Sequence, residues 1–331
     1  MAATRRLGST DREISPIGLG CMQFSGERGP AARVYRPLDA EQVSAIVRAA
    51  LDGGVTWFDT AEMYGQGNSE RMLTTALRTA GVTPGEVTIA TKWPPLMRTA
   101  SHIVRSIGTR LAALQGFPID LYQIHLANGS LSSHRRQLEA MATLQHEGKV
   151  SAVGVSNFSA GQMEHADRVL RAQGLRLVSN QVQISLLHRD IEANGVLDTA
   201  RRLGITLIAY SPLRSGLLTG AFHASPERLD SIPLMRRTLM GVTRRNVART
   251  APLIEELNAV ARAHGATATQ VALSWLITYY GDTVVAIPGA SKPHHAQEAA
   301  AAMDLALIPE EVDRIDKASR AVTGAAQAKS A

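Results

Sequence analysis

The chain has 331 residues, of which 45% are hydrophobic, and it carries a formal net charge of +6. Because a chain of this length and composition buries a large core, a disordered or fibrous protein is excluded. The positive charge is spread over many segments with acidic residues among them, so we expect a solvated surface and no nucleic-acid partner.

One cysteine, Cys21, excludes an intramolecular disulfide framework and a thiolate cluster for a metal. The first residues lack the apolar stretch of a signal peptide, and no run of about 18 apolar residues is present to span a bilayer. We therefore expect a cytoplasmic protein with no membrane partner.

Short apolar runs alternate with helical patterns along most of the chain. The first run is IGLGCM at residues 17–22, and later runs end at Phe58, Thr91, Ile124, Val155, Ile184, Ala209 and Ile287. Eight such strands with intervening helices predict an α/β protein, specifically a closed (β/α)8 TIM barrel. Residues 1–15 precede the first strand, and we expect them to form an N-terminal hairpin at the bottom of the barrel. Helical periodicity at 252–264, 267–280 and 309–320 predicts extra helices in the C-terminal half.

No linker rich in proline, glycine or serine divides the chain, so residues 1–331 are predicted to form one domain. Residues 212–250 are too many for an ordinary βα loop, which indicates a lid or a binding loop. A local excess of arginine falls there, comprising Arg236, Arg237, Arg244, Arg245 and Arg249. These arginines either hold an anionic ligand or form an exposed basic loop.

Four polar residues follow the predicted strands closely. Asp59 and Tyr64 lie in TWFDTAEMYG, Lys92 ends VTIATK, and His125 follows DLYQI. A parallel barrel brings the carboxyl ends of its strands to one rim, where the active sites of this fold lie. Each residue alone has a structural explanation, since an Asp and a Lys form ion pairs and a Tyr packs. The set of four predicts an active site.

The chemistry of this set is that of a general acid facing a carbonyl oxygen. A phenol has a pKa of about 10, and a nearby ammonium lowers it. We therefore expect Lys92 to lower the pKa of Tyr64 and Asp59 to keep the lysine charged. His125 is expected to orient the carbonyl and stabilise charge on its oxygen.

Reduction of a carbonyl carbon requires a hydride that no side chain supplies, so a nicotinamide cofactor is implied. The usual dinucleotide fingerprint is missing, because Gly18-Leu19-Gly20 is followed by Gln23 where a third glycine is expected. We therefore expect the cofactor to bind at the barrel rim.

The chain resembles the aldo-keto reductase superfamily, whose members are NAD(P)H-dependent carbonyl reductases on a TIM barrel. The segments that carry the resemblance are, in the family's order, IGLGCM, GVTWFDTAEMYG, ATKW, LYQIH, GKVSAVGVSNFS, NQVQ, IAYSPLRSGLLTG and AIPGAS. The resemblance implies that Asp59, Tyr64, Lys92 and His125 are a catalytic tetrad. It implies NADPH or NADP as the cofactor, with NADH possible, and a small-molecule carbonyl substrate.

The same resemblance implies a cofactor site. The nicotinamide end would be held by Ser156, Asn157, Gln181 and Tyr210, the last stacking on the ring. The pyrophosphate loop would comprise Ser211, Leu213, Ser215, Gly216 and Leu218. The adenosine end would comprise Ile287, Gly289, Ser291, Lys292, Gln297 and Glu298. The chain departs from the common pattern at His295 and Ala299, where the family often has arginine and asparagine.

The leading prediction is NADPH-dependent reduction of an aldehyde or a ketone to an alcohol, with Tyr64 as the proton donor. Trp93 and Met63 either wall an apolar substrate cleft or pack within the barrel. An alternative is a cofactor-sensing auxiliary subunit, because superfamily members of that kind can retain the tetrad. A metal hydrolase is disfavoured, since the ten histidines form no HxH or HExxH pattern, and no metal site is predicted.

Overall fold

The computed structural model describes residues 4–27, 36–232 and 234–327. The strands are β1 (Arg5–Arg6), β2 (Glu13–Ile14), β3 (Leu19–Gly20), β4 (Trp57–Asp59), β5 (Thr88–Trp93), β6 (Leu121–Ile124), β7 (Val153–Ser156), β8 (Leu177–Gln183), β9 (Thr206–Tyr210) and β10 (Val284–Ile287). The helices are α1 (Ala40–Asp52), α2 (Asn68–Thr79), α3 (Ser101–Ala113), α4 (His134–His146), α5 (Ala160–Arg171), α6 (Val196–Leu203), α7 (Ala221–Ala224), α8 (Leu234–Met240), α9 (Arg244–Ala263), α10 (Ala268–Tyr279), α11 (Pro293–Ala301) and α12 (Pro309–Gln327).

Strands β3 to β10 form one parallel sheet in chain order. Backbone hydrogen bonds join its two edges, from Gly18 N to Ala286 O at 2.8 Å and from Gly20 N to Pro288 O at 3.0 Å. The sheet is therefore a closed barrel, which confirms the predicted (β/α)8 fold. All the predicted strands are present, each ending within two residues of its expected end.

The barrel encloses an apolar cluster of its own, separate from the larger core between strands and helices. Its members within the strands include Trp57, Ala90, Leu121, Val178, Ile208 and Val285. Leu7 and Ile14 of the β1–β2 hairpin belong to the same cluster, and Gly8 N donates to Thr206 Oγ1 at 2.7 Å. The predicted hairpin is thus confirmed, and it closes the end of the barrel opposite the site.

Helix α1 illustrates why the outer layer forms. Asp39 and Gln42 build a capping box at its start, and Val43, Ile46 and Val47 are buried on one face. The side chains of Ser133, Ser159, Thr243 and Thr267 cap α4, α5, α9 and α10 in a similar way.

The expected helix at 252–264 is longer than predicted, because α9 begins at Arg244. The Thr243 side chain accepts a hydrogen bond from Asn246 N at 3.2 Å, which caps the helix eight residues early. Pro252 therefore lies inside the helix. The other two predicted helices correspond to α10 and α12. Residues 212–250 contain α7 and α8 as well as short 3₁₀ segments.

Candidate active site

The four predicted catalytic residues meet at the carboxyl ends of β4, β5 and β6. Lys92 Nζ bonds Asp59 Oδ1 and donates to Thr60 O at 2.8 Å. The same Nζ lies 5.1 Å from the centroid of the Tyr64 ring. The rings of Tyr64 and His125 meet edge to face, with centroids 5.8 Å apart. Positions distant in sequence therefore form one cluster.

The second oxygen of Asp59 also has partners. Its Oδ2 accepts from Gln181 Nε2 at 2.8 Å and from Gln123 Nε2 at 3.3 Å. Asp59 is 1% exposed and Lys92 is fully buried, so the ion pair lies inside the protein. A buried pair of this kind persists only when its remaining hydrogen-bonding capacity is satisfied, which the two amides do.

The lysine is charged and the tyrosine protonated. Burial alone would lower the pKa of Lys92, but the Asp59 carboxylate and the Tyr64 phenol outweigh it, and the pKa is raised. Burial raises the pKa of Tyr64, and the positive charge of Lys92 offsets this only in part. Lys92 lowers the pKa of Tyr64 as expected, but desolvation of the phenolate outweighs this effect, so the net shift is upward. At neutral pH Tyr64 carries the proton that a general acid must give.

His125 is neutral at physiological pH. Burial and, to a smaller extent, the positive charge of Lys92 lower the pKa of His125 to about 3. Its Nδ1 is buried and has no hydrogen-bonding partner within the described residues. A neutral imidazole next to a phenol can orient a carbonyl without competing for the proton.

The turn that carries Tyr64 is tied to a neighbouring loop. Arg98, after β5, donates to Glu62 Oε1 at 2.7 Å. Tyr64 N bonds Ala61 O at 3.0 Å, and Ser69 N bonds Tyr64 O at 3.1 Å, so the phenol stands on a closed turn ahead of α2.

A cleft of about 740 Å³ opens above the tetrad. This volume lies within the range of small-molecule and cofactor sites. Among the residues predicted for catalysis, Asp59, Tyr64 and His125 line the cleft, whereas Lys92 lies beneath it. Of the two candidate wall residues, Met63 lines the cleft. Trp93 is fully buried and donates from Nε1 to His102 Nδ1 at 3.1 Å, so it is barrel packing.

One end of the cleft has a chain of polar groups. Tyr210 Oη donates to Asn157 Oδ1 at 3.0 Å, and Asn157 Nδ2 donates to Ser156 Oγ at 3.0 Å. Ser156 Oγ in turn donates to Gln181 O at 2.9 Å. All four predicted nicotinamide contacts therefore lie together beside the tetrad.

The loop after β9 follows the cleft in an unusual backbone conformation. Ser211, Arg214 and Ser215 have φ values of 51°, 47° and 54°, a region that non-glycine residues rarely adopt. Such strain is found where a loop must present its backbone to a ligand. Of the predicted pyrophosphate residues, those lining the cleft are Ser211, Leu213, Ser215 and Gly216. Leu218 is instead fully buried in the core.

The far end of the cleft is formed after β10. Among the predicted adenosine residues, those lining it are Ile287, Gly289, Ser291 and Glu298. Lys292 and Gln297 are exposed on α11 and its N-cap, outside the lining. Their part in cofactor binding, like that of Leu218, stays a prediction.

Gly289 and Gln23 approach closely at this end. A Cβ on Gly289 would lie 2.3 Å from Gln23 Nε2, so any other residue there would displace the end of the Gln23 side chain. Gln23 lines the cleft, and its Oε1 is buried without a partner in the part of the chain described. Sequence reasoning treated this glutamine only as a missing glycine.

The described arginines of the arginine-rich stretch are absent from the lining of the cleft. Arg237 and Arg244 pair with Asp230 at 3.5 and 2.9 Å, and Arg249 donates to Val322 O at 3.4 Å. Arg245 is exposed, and the side chain of Arg236 lies outside the described residues. Instead, Arg228 lines the cleft, together with Ser231 and Ile232. Among the described arginines of the stretch, none lines the cleft, so the hypothesis that they hold an anionic ligand loses its geometric basis.

The described residues contain neither a metal-binding cluster nor a membrane-spanning helix. No three histidine, cysteine or acidic side chains lie close enough to hold a metal ion. No helix there is both long and apolar enough to cross a bilayer.

Comparison with known proteins agrees with this geometry. The Aldo/keto reductase family model matches residues 16–320. An oxidoreductase of Mycobacterium tuberculosis is 37% identical over 310 residues, covering 93% of this chain and 90% of the relative. The chloroplastic pyridoxal reductase of Arabidopsis thaliana is 30% identical over 321 residues, covering 93% and 84%. An aldo/keto reductase from Klebsiella pneumoniae, solved with NADP and acetate, has a TM-score of 0.71 at 28% identity, covering 96% and 95%. The chain belongs to the aldo/keto reductase family and shares its carbonyl oxidoreduction.

Proposed function

We propose that this protein uses NADPH to reduce an aldehyde or a ketone to an alcohol, with Tyr64 as the proton donor. The observation that carries the proposal is the protonated Tyr64 above the buried Lys92–Asp59 pair, next to a neutral His125 at the base of the cleft. This arrangement offers one acidic proton to an oxygen bound between the phenol and the imidazole.

The residues present fit a nicotinamide dinucleotide. The polar chain from Tyr210 to Ser156 supplies hydrogen-bonding groups and an aromatic face at one end of the cleft. The loop after β9 offers backbone groups along the middle, and Gly289 with Ser291 lines the far end. When bound, the nicotinamide supplies the hydride that the carbonyl carbon accepts.

The chain's own residues would do the rest. His125 would hold the carbonyl oxygen, and Tyr64 would transfer its proton to that oxygen as negative charge develops. Lys92 would stabilise the resulting phenolate at close range, because the phenolate is costly in its buried position. Asp59 would keep Lys92 charged and in place.

The relatives narrow the substrates to test. The Arabidopsis thaliana relative is named for pyridoxal, a heteroaromatic aldehyde. Pyridoxal therefore belongs in a panel of aldehydes and ketones. Arg228 in the cleft wall adds a reason to include carboxylated or phosphorylated carbonyl compounds. A cytoplasmic location and a single domain over residues 1–331 stay predictions.

The test is a fluorescence titration of the purified protein with NADPH and NADH, followed by cofactor oxidation against that panel. We expect saturable NADPH binding, tighter than NADH binding, and turnover of at least one carbonyl compound. Binding without turnover on any carbonyl would contradict the reductase and favour a cofactor-sensing subunit.

A further inference from the structure

A row of residues crosses the barrel below the active site. Lys92, Gln123, Gly154 and Ser179 are successive register partners on β5, β6, β7 and β8. Gln123 and Ser179 are fully buried. Gln123 Nε2 donates to Asp59 Oδ2 at 3.3 Å, and Ser179 Oγ donates to Gln123 Oε1 at 3.5 Å. The serine, the amide and the carboxylate form one buried relay.

Gly154 leaves the space that this relay occupies. A Cβ on Gly154 would lie 2.3 Å from Ser179 Oγ and 3.0 Å from Gln123 Cγ. No left-handed backbone conformation calls for glycine here, since its φ is not positive. The missing side chain thus serves the fit of the two polar groups beside it.

The polar side chains of Gln123 and Ser179 are unusual for the interior of a barrel. The interior of a TIM barrel is usually filled by branched apolar side chains, and a buried amide costs free energy unless it is hydrogen-bonded. Here the amide bonds the Asp59 carboxylate, which anchors Lys92. The relay therefore points to the alignment of Asp59 rather than to packing alone.

The two amides on Asp59 differ in what else they can do. Gln181 lines the cleft, and under the proposed function it contacts the nicotinamide carboxamide. Gln123 is sealed below the cleft, so a ligand cannot draw it away from Asp59. We propose that Gln123 is a positioning residue, oriented by Ser179, that holds Asp59 and thereby Lys92 and Tyr64 in their reactive arrangement. This inference rests on the proposed carbonyl reduction.

The groups that set the charge of this cluster come from several elements. The titratable groups near Lys92 are Asp59 at the end of β4, Tyr64 in the turn after β4, Cys21 after β3 and His125 after β6. Without the Gln123 amide, Asp59 Oδ2 would keep the hydrogen bond from Gln181 and lose its second partner. Asp59 would then be held less firmly, and its hold on the lysine would weaken. The proton transfer would slow, while the cleft that binds the ligands would be unchanged.

The first variant is Gln123→Met, which keeps the side-chain length and removes the donor. We expect kcat to fall by roughly ten-fold or more, the range given by losing one hydrogen bond to a charged group. The KM for the carbonyl and the Kd for NADPH should stay within about two-fold of wild type. The matched control is Gln137→Met in α4. That glutamine is 1% exposed and donates to Ser132 O at 2.9 Å, outside the relay.

The second variant, Gln123→Glu, tests the pH dependence of kcat, which would not change if Gln123 had only a structural role. Two carboxyl groups in contact cannot both ionise readily. At about pH 6 the introduced carboxyl should be protonated and donate as the amide does, whereas at about pH 9 it should ionise and repel Asp59. The ratio of its kcat to the wild-type kcat should therefore fall as pH rises.

The outcomes separate this inference from the proposed function. If wild type turns over no carbonyl compound, the proposed function fails. If wild type is active and folded Gln123→Met matches its kcat, the positioning role is wrong. An equal loss in the Gln137→Met control, or a Gln123→Glu ratio that does not change with pH, would also overturn it.

Discussion

At the tetrad end of the cleft the charged groups are buried and hydrogen-bonded to each other. At the far end, the proposed adenosine end, the polar groups are exposed and have few hydrogen bonds. Asp59 is 1% exposed and has Lys92 and two amides as partners. By contrast, Ser291 Oγ and His295 Nδ1 are 3.4 Å apart, and the side chain of Lys292 is exposed. Under the proposed function, the reactive groups are therefore arranged before a ligand binds, and affinity at the other end depends on contacts that the ligand completes.

Breaking the buried pair tests the first half of this comparison and should have the largest effect. Lys92→Met leaves the Asp59 carboxylate buried without a counter-charge, which costs about 3–5 kcal/mol of unfolding free energy. Turnover should also be lost, because nothing stabilises the Tyr64 phenolate. Urea unfolding and kcat measure the two effects. In the double variant Asp59→Asn/Lys92→Met, stability should recover in part, and a Lys92→Met protein as stable as wild type would contradict a buried pair.

The neutral state of His125 gives a pH prediction. Because its folded pKa of about 3 lies below the usual value, the unfolded chain binds a proton first as pH falls. The contribution of His125 to the free energy of unfolding is therefore constant above about pH 6.5. As pH falls from about 6.5 towards the folded pKa, this contribution is lost progressively. The unfolding free energy of wild type relative to His125→Asn should decline over that window. A difference that stays constant with pH would mean that the imidazole titrates normally.

The adenosine end should respond more weakly. Lys292→Ala removes an exposed cation, so we expect NADPH affinity to fall by about five-fold at most, and NADH affinity to be unchanged. Fluorescence titration measures both constants. Lys317→Ala, an exposed lysine on α12, is the control. Equal losses for the two cofactors would place Lys292 away from the 2′-phosphate.

The smallest effect is expected in the arginine-rich stretch. Arg244→Ala breaks an exposed ion pair with Asp230, and such pairs contribute little. The ratio of kcat/KM for a carboxylated aldehyde to that for a neutral aldehyde should change by less than about two-fold. Arg228→Ala, which alters the cleft wall, should change this ratio more. A selective loss in Arg244→Ala would restore the anionic-ligand role of that stretch.

The sequence predicted the fold and the meeting of the tetrad because both depend on strand ends. In a parallel barrel, the position of Asp59, Lys92 or His125 follows from where its strand stops. The reach of α9 to Arg244 was missed because Thr243 caps it before its apolar pattern is evident. The effect of Lys92 on the Tyr64 pKa was predicted, but the larger opposing effect of burial was not, because desolvation depends on the whole surrounding fold. The hydrogen bond between Gln123 and Asp59 was missed because the two residues are 64 positions apart, and no local sequence pattern indicates such a contact.

The most direct test of the central claim is Tyr64→Phe, studied by NADPH titration and by single-turnover reduction of the best carbonyl substrate. The substitution removes the acidic proton and keeps the ring, so reduction should slow by about 10²- to 10⁴-fold. The Kd for NADPH should stay near the wild-type value, because the phenol hydroxyl is not among the proposed cofactor contacts. Reduction at the wild-type rate by the Tyr64→Phe protein would show that Tyr64 is not the proton donor.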